Sequence, residues 1–188
     1  MQKRCTWCEN SFAEYVRYHD EEWGVPVHDD RMHFEFLVLE SAQAGLSWAT
    51  ILKKREGYRK AFANFDVETV VTYDSGIVED LLQDASIIRN RAKIEATINN
   101  AHRFIEIQKE FGSFDKYIWG FVDGQPMVGK WKSMSEVPVT TPQSDALSKD
   151  LKKRGFKFVG STTIYAHMQA IGLVNDHTMD CYRYAELV

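Results

Sequence analysis

Two groups of residues in this 188-residue sequence could carry chemistry, and the first is a set of thiols and imidazoles near its two ends. His177 and Cys181 are four positions apart, so a helical turn would direct both side chains the same way. Cys5 and Cys8 form a C-x-x-C pair, which is a common start of a zinc site. Four protein ligands of these types favour a closed, structural zinc ion. Spacing alone prefers the set Cys5, Cys8, His177 and Cys181, and a set with His19 in place of Cys8 stays open.

The second group centres on an acidic residue within an apolar segment, LVLESAQAGLSW. Glu40 follows Phe36 by four positions and Leu37 by three, which places its carboxyl on the core-facing stripe of a helix. A buried carboxylate without a partner is costly. Such a residue is therefore either hydrogen-bonded for structure or kept for a ligand.

Aromatic residues with polar tips are concentrated around this acid in the first 48 residues of the chain. They are Trp7, Tyr15, Tyr18, Trp23 and Trp48. Such residues are usually core, but beside a central acid they also suit a pocket that stacks on a flat, cationic ring.

The elements that must position these groups are mostly helices. Caps and apolar spacing predict helices from Asp29-Asp30 to Gly45, from Ser47 to about Tyr58, around 78–82, from about Arg91 to Lys109, from Phe114 to Val122, from a Ser144 cap to Gly155, and from Ser161 or Thr162 to Gly172. Residues 123–143 contain several Gly and Pro and are expected to be irregular. A brief alternation over 155–159 finds no partner strand. We expect an all-α fold in a single domain, 1–188.

Composition limits the class of protein. The chain is 44% apolar with a formal net charge of −4, from 23 basic and 27 acidic residues. It can bury a core, and its three cysteines argue against a disulfide framework and for the cytoplasm. No apolar run approaches the roughly 18 residues needed to span a bilayer. The net charge argues against nucleic acid, but local basic runs such as 53–55 and 89–93 could bind phosphates.

Longer stretches of the sequence resemble one family, the DNA-3-methyladenine glycosylase I enzymes of the helix-hairpin-helix superfamily. The stretches that carry this resemblance are Arg4-Cys5-x-Trp7, Tyr18-His19-Asp20-x-Glu22-Trp23-Gly24-Val25-Pro26, Leu39-Glu40-x-x-Gln43-Ala44-Gly45-Leu46-Ser47-Trp48, Ile87-Ile88-Arg89-x-Arg91-x-Lys93-Ile94, Leu151-Lys152-Lys153-Arg154-Gly155-Phe156-Lys157-Phe158-Val159-Gly160 and Gly172-Leu173-Val174-Asn175-Asp176-His177. They run almost from end to end of the chain.

The resemblance implies a zinc ion that joins the two ends of the chain. Its ligands would be Cys5, His19, His177 and Cys181, in place of the spacing-based set that includes Cys8. It also implies a helix-hairpin-helix at about 82–95 that binds DNA.

The implied activity is excision of N3-methyladenine from double-stranded DNA by base flipping and hydrolysis of the N-glycosidic bond. Glu40, ionised, would be the catalytic and base-recognising residue, with the base held by Tyr15, Tyr18, Trp48, Trp7 and Trp23. DNA contacts would come from Arg89, Arg91 and Lys93. Leu46, which follows Gly45, could act as a wedge, an apolar side chain that fills the gap left in the duplex by the flipped base. Free 3-methyladenine would be the product, and the enzyme is expected to act as a monomer without a membrane.

Three other functions stay open at this point. Many members of the superfamily use a catalytic aspartate that this chain lacks, so it could be a sensor that binds alkylated bases without cleaving them. The thiol and imidazole cluster could instead be the active site of a zinc-dependent hydrolase. A structural helical adaptor would need an exposed apolar patch.

Overall fold

The computed structural model describes residues 2–188 and is built mainly from helices. In chain order these are α1 (Ala13–Glu21), α2 (Asp30–Gln43), α3 (Trp48–Ala61), α4 (Val67–Val70), α5 (Ser75–Gln83), α6 (Arg91–Phe111), α7 (Phe114–Trp119), α8 (Pro142–Lys153), α9 (Ser161–Ala170) and α10 (Tyr182–Glu186). Short 3₁₀ turns lie at Thr6–Cys8, Ala63–Phe65, Gly120–Val122 and Met134–Glu136. The all-α expectation is confirmed in this coarse form. No helix of the described chain is long and apolar enough to cross a membrane.

Helix α2 is the central element of the fold. Asp29 caps it by accepting a hydrogen bond from the Met32 N–H, as the sequence predicts. Every residue from His33 to Ala42 is buried, because α2 packs against α3, α6, α7 and α9 on different sides. The helix ends at Gln43, and Gly45 then adopts a φ of +78°, which turns the chain sharply outward.

Several predicted helix boundaries are correct because a local side chain decides them. Ser47 accepts from the Thr50 N–H and starts α3, and Asn90 accepts from the Lys93 N–H at the start of α6. Gly112, with a φ of +88°, ends α6.

Two predicted caps are wrong. Helix α8 begins with a Thr141 cap and Pro142 in its first turn, while Ser144 sits at the third helical position and completes a capping box. Helix α9 begins after Gly160, which provides no side-chain cap, so neither Ser161 nor Thr162 is its cap. In both cases the backbone turns into the helix one to three residues before the predicted cap.

The irregular segment 123–143 contains one short strand. β1 (Met127–Val128) pairs in parallel with β2 (Val174–Asn175), so the only sheet within residues 2–188 has two strands. Residues 155–159 form turns and bends, in agreement with the missing partner strand. The β1–β2 pair fixes the segment against the region that leads to His177.

Candidate functional site

A cavity of about 260 Å³ opens where α1, α2, α3 and α9 meet the 3₁₀ turn Thr6–Cys8, the loop after α1 and the irregular segment 123–143. It is lined by Trp7, Tyr15, Tyr18, Trp23, Glu40, Gln43, Trp48, Met134, Ala166 and Gln169. The structure therefore brings together the acid and all five aromatic residues that the sequence analysis selected.

Four lining residues were not selected from the sequence. Gln43 lies three positions after Glu40 on the same helix face, a spacing that could have pointed to it. Ala166 and Gln169 likewise share one face of α9. Met134 comes from the irregular segment 123–143, where no periodic signal exists.

The aromatic side chains stand at steep angles to one another and form the cavity walls. The Tyr18 and Trp48 ring centroids are 5.2 Å apart with planes tilted by 47°. Trp7 meets Tyr15 and Trp23 edge-on, at 5.1 Å from each. The indole Nε1–H groups of Trp7 and Trp48 are buried and donate to no acceptor within residues 2–188. Two buried hydrogen-bond donors without acceptors thus belong to residues that line the cavity.

The carboxyl of Glu40 is the acidic group of this cavity. Its residue is 4% exposed, and burial alone raises the pKa of Glu40 to about 8. Burial thus favours the neutral carboxyl in the free protein, while the ionised Glu40 expected against a bound cationic base stays a prediction. The group has the properties of a residue kept for a ligand that brings its own charge or hydrogen bonds.

A second cavity of about 200 Å³ adjoins the first and leads to the surface near Leu46. Both cavities share Glu40, Gln43 and Ala166. Leu46 itself is 40% exposed, and its backbone N–H donates to the Gln43 carbonyl at 2.6 Å. A partly exposed apolar side chain thus lines a cavity that Glu40 also lines.

The predicted thiol and imidazole ligands meet in a separate cluster next to the cavity. The ligand atoms of Cys5, His19, His177 and Cys181 all lie within 4.8 Å of one another, and all four residues are buried. His177 Nδ1 is 3.5 Å from both sulfur atoms, and His19 Nε2 is 3.5 Å from the Cys181 sulfur. Ordinary Zn–S and Zn–N bonds in a tetrahedron would separate sulfur from nitrogen by about 3.6 Å, so the donor set fits zinc.

Hydrogen bonds on the far side of each imidazole fix its orientation. His19 Nδ1 lies 2.8 Å from the Asp20 carboxylate, and His177 Nε2 lies 2.9 Å from the Trp23 carbonyl oxygen. Partners of this kind are typical of metal-binding histidines. The Cys8 thiol instead donates to the Cys5 carbonyl, outside the cluster, so the spacing-based set with Cys8 is wrong.

Helices α5 and α6 are joined by a tight loop, 84–90, that rests on α3. Lys54 Nζ donates to the Ala85 carbonyl, and the Ile88 N–H donates to the Tyr58 hydroxyl. The loop approaches so closely that a Cβ on Gly57 would stand 2.3 Å from the Ser86 carbonyl oxygen. The helix–loop–helix unit is thereby fixed relative to the cavity.

The basic side chains predicted to contact DNA differ in whether other groups of the protein already bind them. Arg89 is exposed, whereas Arg91 is engaged by Glu79 at 2.7 Å and by Glu95 at 3.7 Å. The Lys93 ammonium is half-buried and donates to backbone carbonyls of α2. The backbone N–H groups of Arg89, Arg91 and Ala92 find no acceptor within residues 2–188.

Comparisons with known proteins agree with this arrangement. The family model described as methyladenine glycosylase matches residues 7–184. The chain is 50% identical to DNA-3-methyladenine glycosylase 1 of Escherichia coli K12, over 97% of each protein, and 46% identical to the DNA-3-methyladenine glycosylase of Haemophilus influenzae, over 96% of this chain and 97% of that protein. A solved structure of the Staphylococcus aureus 3-methyladenine DNA glycosylase I superposes with a TM-score of 0.92 at 37% identity, covering 95% of both chains. The chain belongs to the methyladenine glycosylase family.

Proposed function

We propose that this protein is a DNA glycosylase that removes 3-methyladenine from alkylated DNA by hydrolysis of the N-glycosidic bond. The observation that carries the proposal is the buried carboxyl of Glu40 at the centre of an aromatic cavity, in a chain 50% identical to an enzyme of that name. A cavity of about 260 Å³ has room for a purine base. A base can enter a cavity in the protein only after it has left the stacked duplex.

Glu40 would recognise the alkylated base by charge and hydrogen bonding. A cationic base close to the carboxyl favours its ionised form, so binding lowers the pKa of Glu40 from its raised value in the free protein. The carboxylate then accepts a hydrogen bond from the exocyclic amine of adenine, whereas guanine presents a carbonyl at that position. Tyr18 and Trp48 supply ring faces for stacking and cation–π attraction.

The alkylated base is already a good leaving group because of its positive charge. The enzyme therefore needs little acid catalysis. A carboxylate that stabilises the positive charge near the breaking bond can supply the type of catalysis that remains necessary. This explains how a family member can act without the aspartate used by many members of the superfamily.

DNA would be bound by the loop 84–90 and the start of α6 as a hairpin between two helices. The free backbone N–H groups of Arg89, Arg91 and Ala92 are suited to phosphate oxygens, and the exposed Arg89 side chain adds charge. Leu46 would fill the gap that the flipped nucleotide leaves in the duplex.

Zinc would be held by Cys5, His19, His177 and Cys181 as a structural ion. It would supply a crosslink between the two ends of the chain, and four protein ligands leave no open position for substrate. The fit of the buried donor set and its outer hydrogen bonds supports this assignment.

The test is release of 3-methyladenine from methylated duplex DNA. Wild-type protein is expected to release the base, Glu40→Gln to release it at least about tenfold more slowly, and Glu14→Gln, which alters an exposed carboxylate on α1, to match the wild type. Folded wild-type protein that binds the free base but releases none would identify a sensor and overturn the proposal.

A further inference from the structure

A lysine in the first turn of α6 is bound to the end of α2. Lys93 Nζ lies 2.8 Å from the Ala42 carbonyl oxygen and 2.7 Å from the Ala44 carbonyl oxygen. Ala42 is in the last turn of α2, and Ala44 is the C-cap residue that directly follows its last residue, Gln43. One ammonium group therefore joins two elements that are about fifty residues apart in sequence.

This placement is unfavourable for α6 alone, and the contact with α2 compensates for it. A cation in the first turn of a helix is repelled by the positive end of the helix dipole. The last carbonyls of α2 lack partners within their own helix and carry the negative end of its dipole. Lys93 is half-buried, and burial lowers the pKa of its ammonium, so two carbonyl acceptors at this spot stabilise the charge.

The two carbonyls flank the residues that would act on DNA. Ala42 follows Glu40 by two positions, and Ala44 directly precedes Gly45 and Leu46. At the other end of the contact, Lys93 lies two positions after Arg91, where the free backbone N–H groups of α6 begin. The contact thus sets the distance between the expected phosphate-binding end of α6 and the expected wedge.

We propose that Lys93 is a positioning residue: it holds the Gly45–Leu46 turn in register with the hairpin, so that DNA bound at α6 meets Leu46 at the target base. The inference rests on the proposed function and replaces the sequence-based role of Lys93 as a phosphate contact. Two of its three ammonium protons are already donated to carbonyl oxygens.

The test compares Lys93→Met with Arg89→Met, which removes an exposed cation nearby. Lys93→Met is expected to slow single-turnover excision from duplex DNA at saturating enzyme by about tenfold or more, because base flipping is impaired. Its DNA affinity should keep the wild-type salt dependence, and it should bind free 3-methyladenine within about threefold of wild type. For Arg89→Met, which removes an expected phosphate contact, the slope of log affinity against log salt should fall by about 0.9. Lys109→Met, which removes an exposed cation near the far end of α6, is the control expected to keep the saturated rate.

A double-mutant cycle with Leu46→Ala separates positioning from general stability. If Lys93 acts through Leu46, the double variant should be about as slow as the slower single variant. Two substitutions that disrupt the same function do not have additive effects on the activation free energy. Fully multiplicative rates overturn the proposal. So does a Lys93→Met protein that excises at the wild-type rate with a reduced salt slope, or one whose only change is a lower Tm. If Lys93→Met does not fold, Lys93→Gln is used in the same cycle. Failure of the proposed function would show separately, as no base release by the wild type.

Discussion

His177 and Trp23 are joined by a hydrogen bond from the imidazole Nε2 to the backbone carbonyl oxygen, at 2.9 Å, and their rings meet nearly perpendicular with centroids 4.6 Å apart. His177 belongs to the thiol and imidazole cluster, and Trp23 lines the cavity that contains Glu40. The cluster therefore supports one wall of the cavity directly. Tyr18, which precedes His19, and Trp7, which follows Cys5 by two positions, extend this support to two other walls.

Because of this contact, we expect loss of the metal to remove activity only together with the fold. Purified protein should contain one zinc per chain by elemental analysis. Titration with a chelator should lower the near-UV circular dichroism signal and the excision rate in parallel, since the proposed ion would join segments more than 150 residues apart. A metal-free protein with an unchanged near-UV spectrum and no activity would instead favour the zinc-dependent hydrolase.

Paired cysteine variants test which thiols matter. Cys181→Ser should lose bound zinc and lower the Tm, because it removes one of the four clustered donors. Cys8→Ser should keep the metal, because the Cys8 thiol donates to a backbone carbonyl outside the cluster, a bond that a serine hydroxyl can also make. Zinc loss from Cys8→Ser with retention in Cys181→Ser would restore the spacing-based ligand set.

The predictable parts of the site were those with a local signal. Glu40 stands out because an acid interrupts an apolar helical stripe, and the caps Asp29, Ser47 and Asn90 are local hydrogen bonds between residues three positions apart. Spacing alone preferred Cys8 to His19, whereas the structure brings His19 into the cluster, since that choice depends on where a turn and a helix place the two residues in space. The resemblance supplied the set that the geometry brings together.

What the sequence could not show depends on contacts between distant segments. The raised pKa of Glu40 follows from its burial in a cavity that residues of α1, α3 and α9 also line. The carbonyl partners of Lys93 come from the far end of another helix, so a basic side chain near the hairpin looked like a phosphate contact. Helix α1 was not predicted, because its Phe12 cap position offers no side-chain cap and its aromatic residues suggested a pocket.

The raised pKa of Glu40 predicts how stability depends on pH. The folded state holds a proton on Glu40 up to about pH 8, whereas the unfolded state releases it near the ordinary value of 4.5. The stabilisation relative to Glu40→Gln is thus fully present below pH 4.5 and is lost as pH rises through 8, by up to about 1.4 kcal/mol per pH unit. Urea unfolding of both proteins at several pH values measures this difference. If the unfolding free energies of the two proteins differed by the same amount at every pH, Glu40 would be ionised in the folded protein without a bound base.

The same group predicts the pH dependence of excision. If the cationic base binds only when Glu40 is ionised, as proposed, kcat/KM should fall as pH drops below about 8. The fall in kcat should lie at lower pH, because a bound cation would lower the pKa of Glu40. Glu40→Gln should show neither limb. Initial-rate measurements on methylated duplex across pH 5.5–9, a window of roughly three pH units around the limb, would check this, and coincident limbs in kcat and kcat/KM would contradict it.

The substitution Gly57→Ala tests the close contact between α3 and the loop 84–90. A methyl group there would stand 2.3 Å from the Ser86 carbonyl oxygen, so Gly57→Ala must displace the loop 84–90. We expect a loss of about 1–3 kcal/mol in unfolding free energy and weaker DNA binding, with free-base binding retained. Gly120→Ala is the control, because its added Cβ meets no atom within 4 Å and its φ of −60° suits alanine. Equal stability of the two variants would mean that the loop can move away at no cost.

Leu46→Ala tests whether Leu46 fills the gap in the duplex, separately from base binding in the cavity. Leu46 is 40% exposed, so its truncation should change the unfolding free energy by no more than about 0.5 kcal/mol. Excision from duplex DNA should slow by about tenfold or more, because the gap left by the flipped base is no longer filled. Excision from single-stranded DNA, where no stack has to be opened, should be nearly unchanged. Val139→Ala, an exposed apolar residue outside both cavities, serves as the control. An equal loss on both substrates would place Leu46 in base binding rather than in flipping.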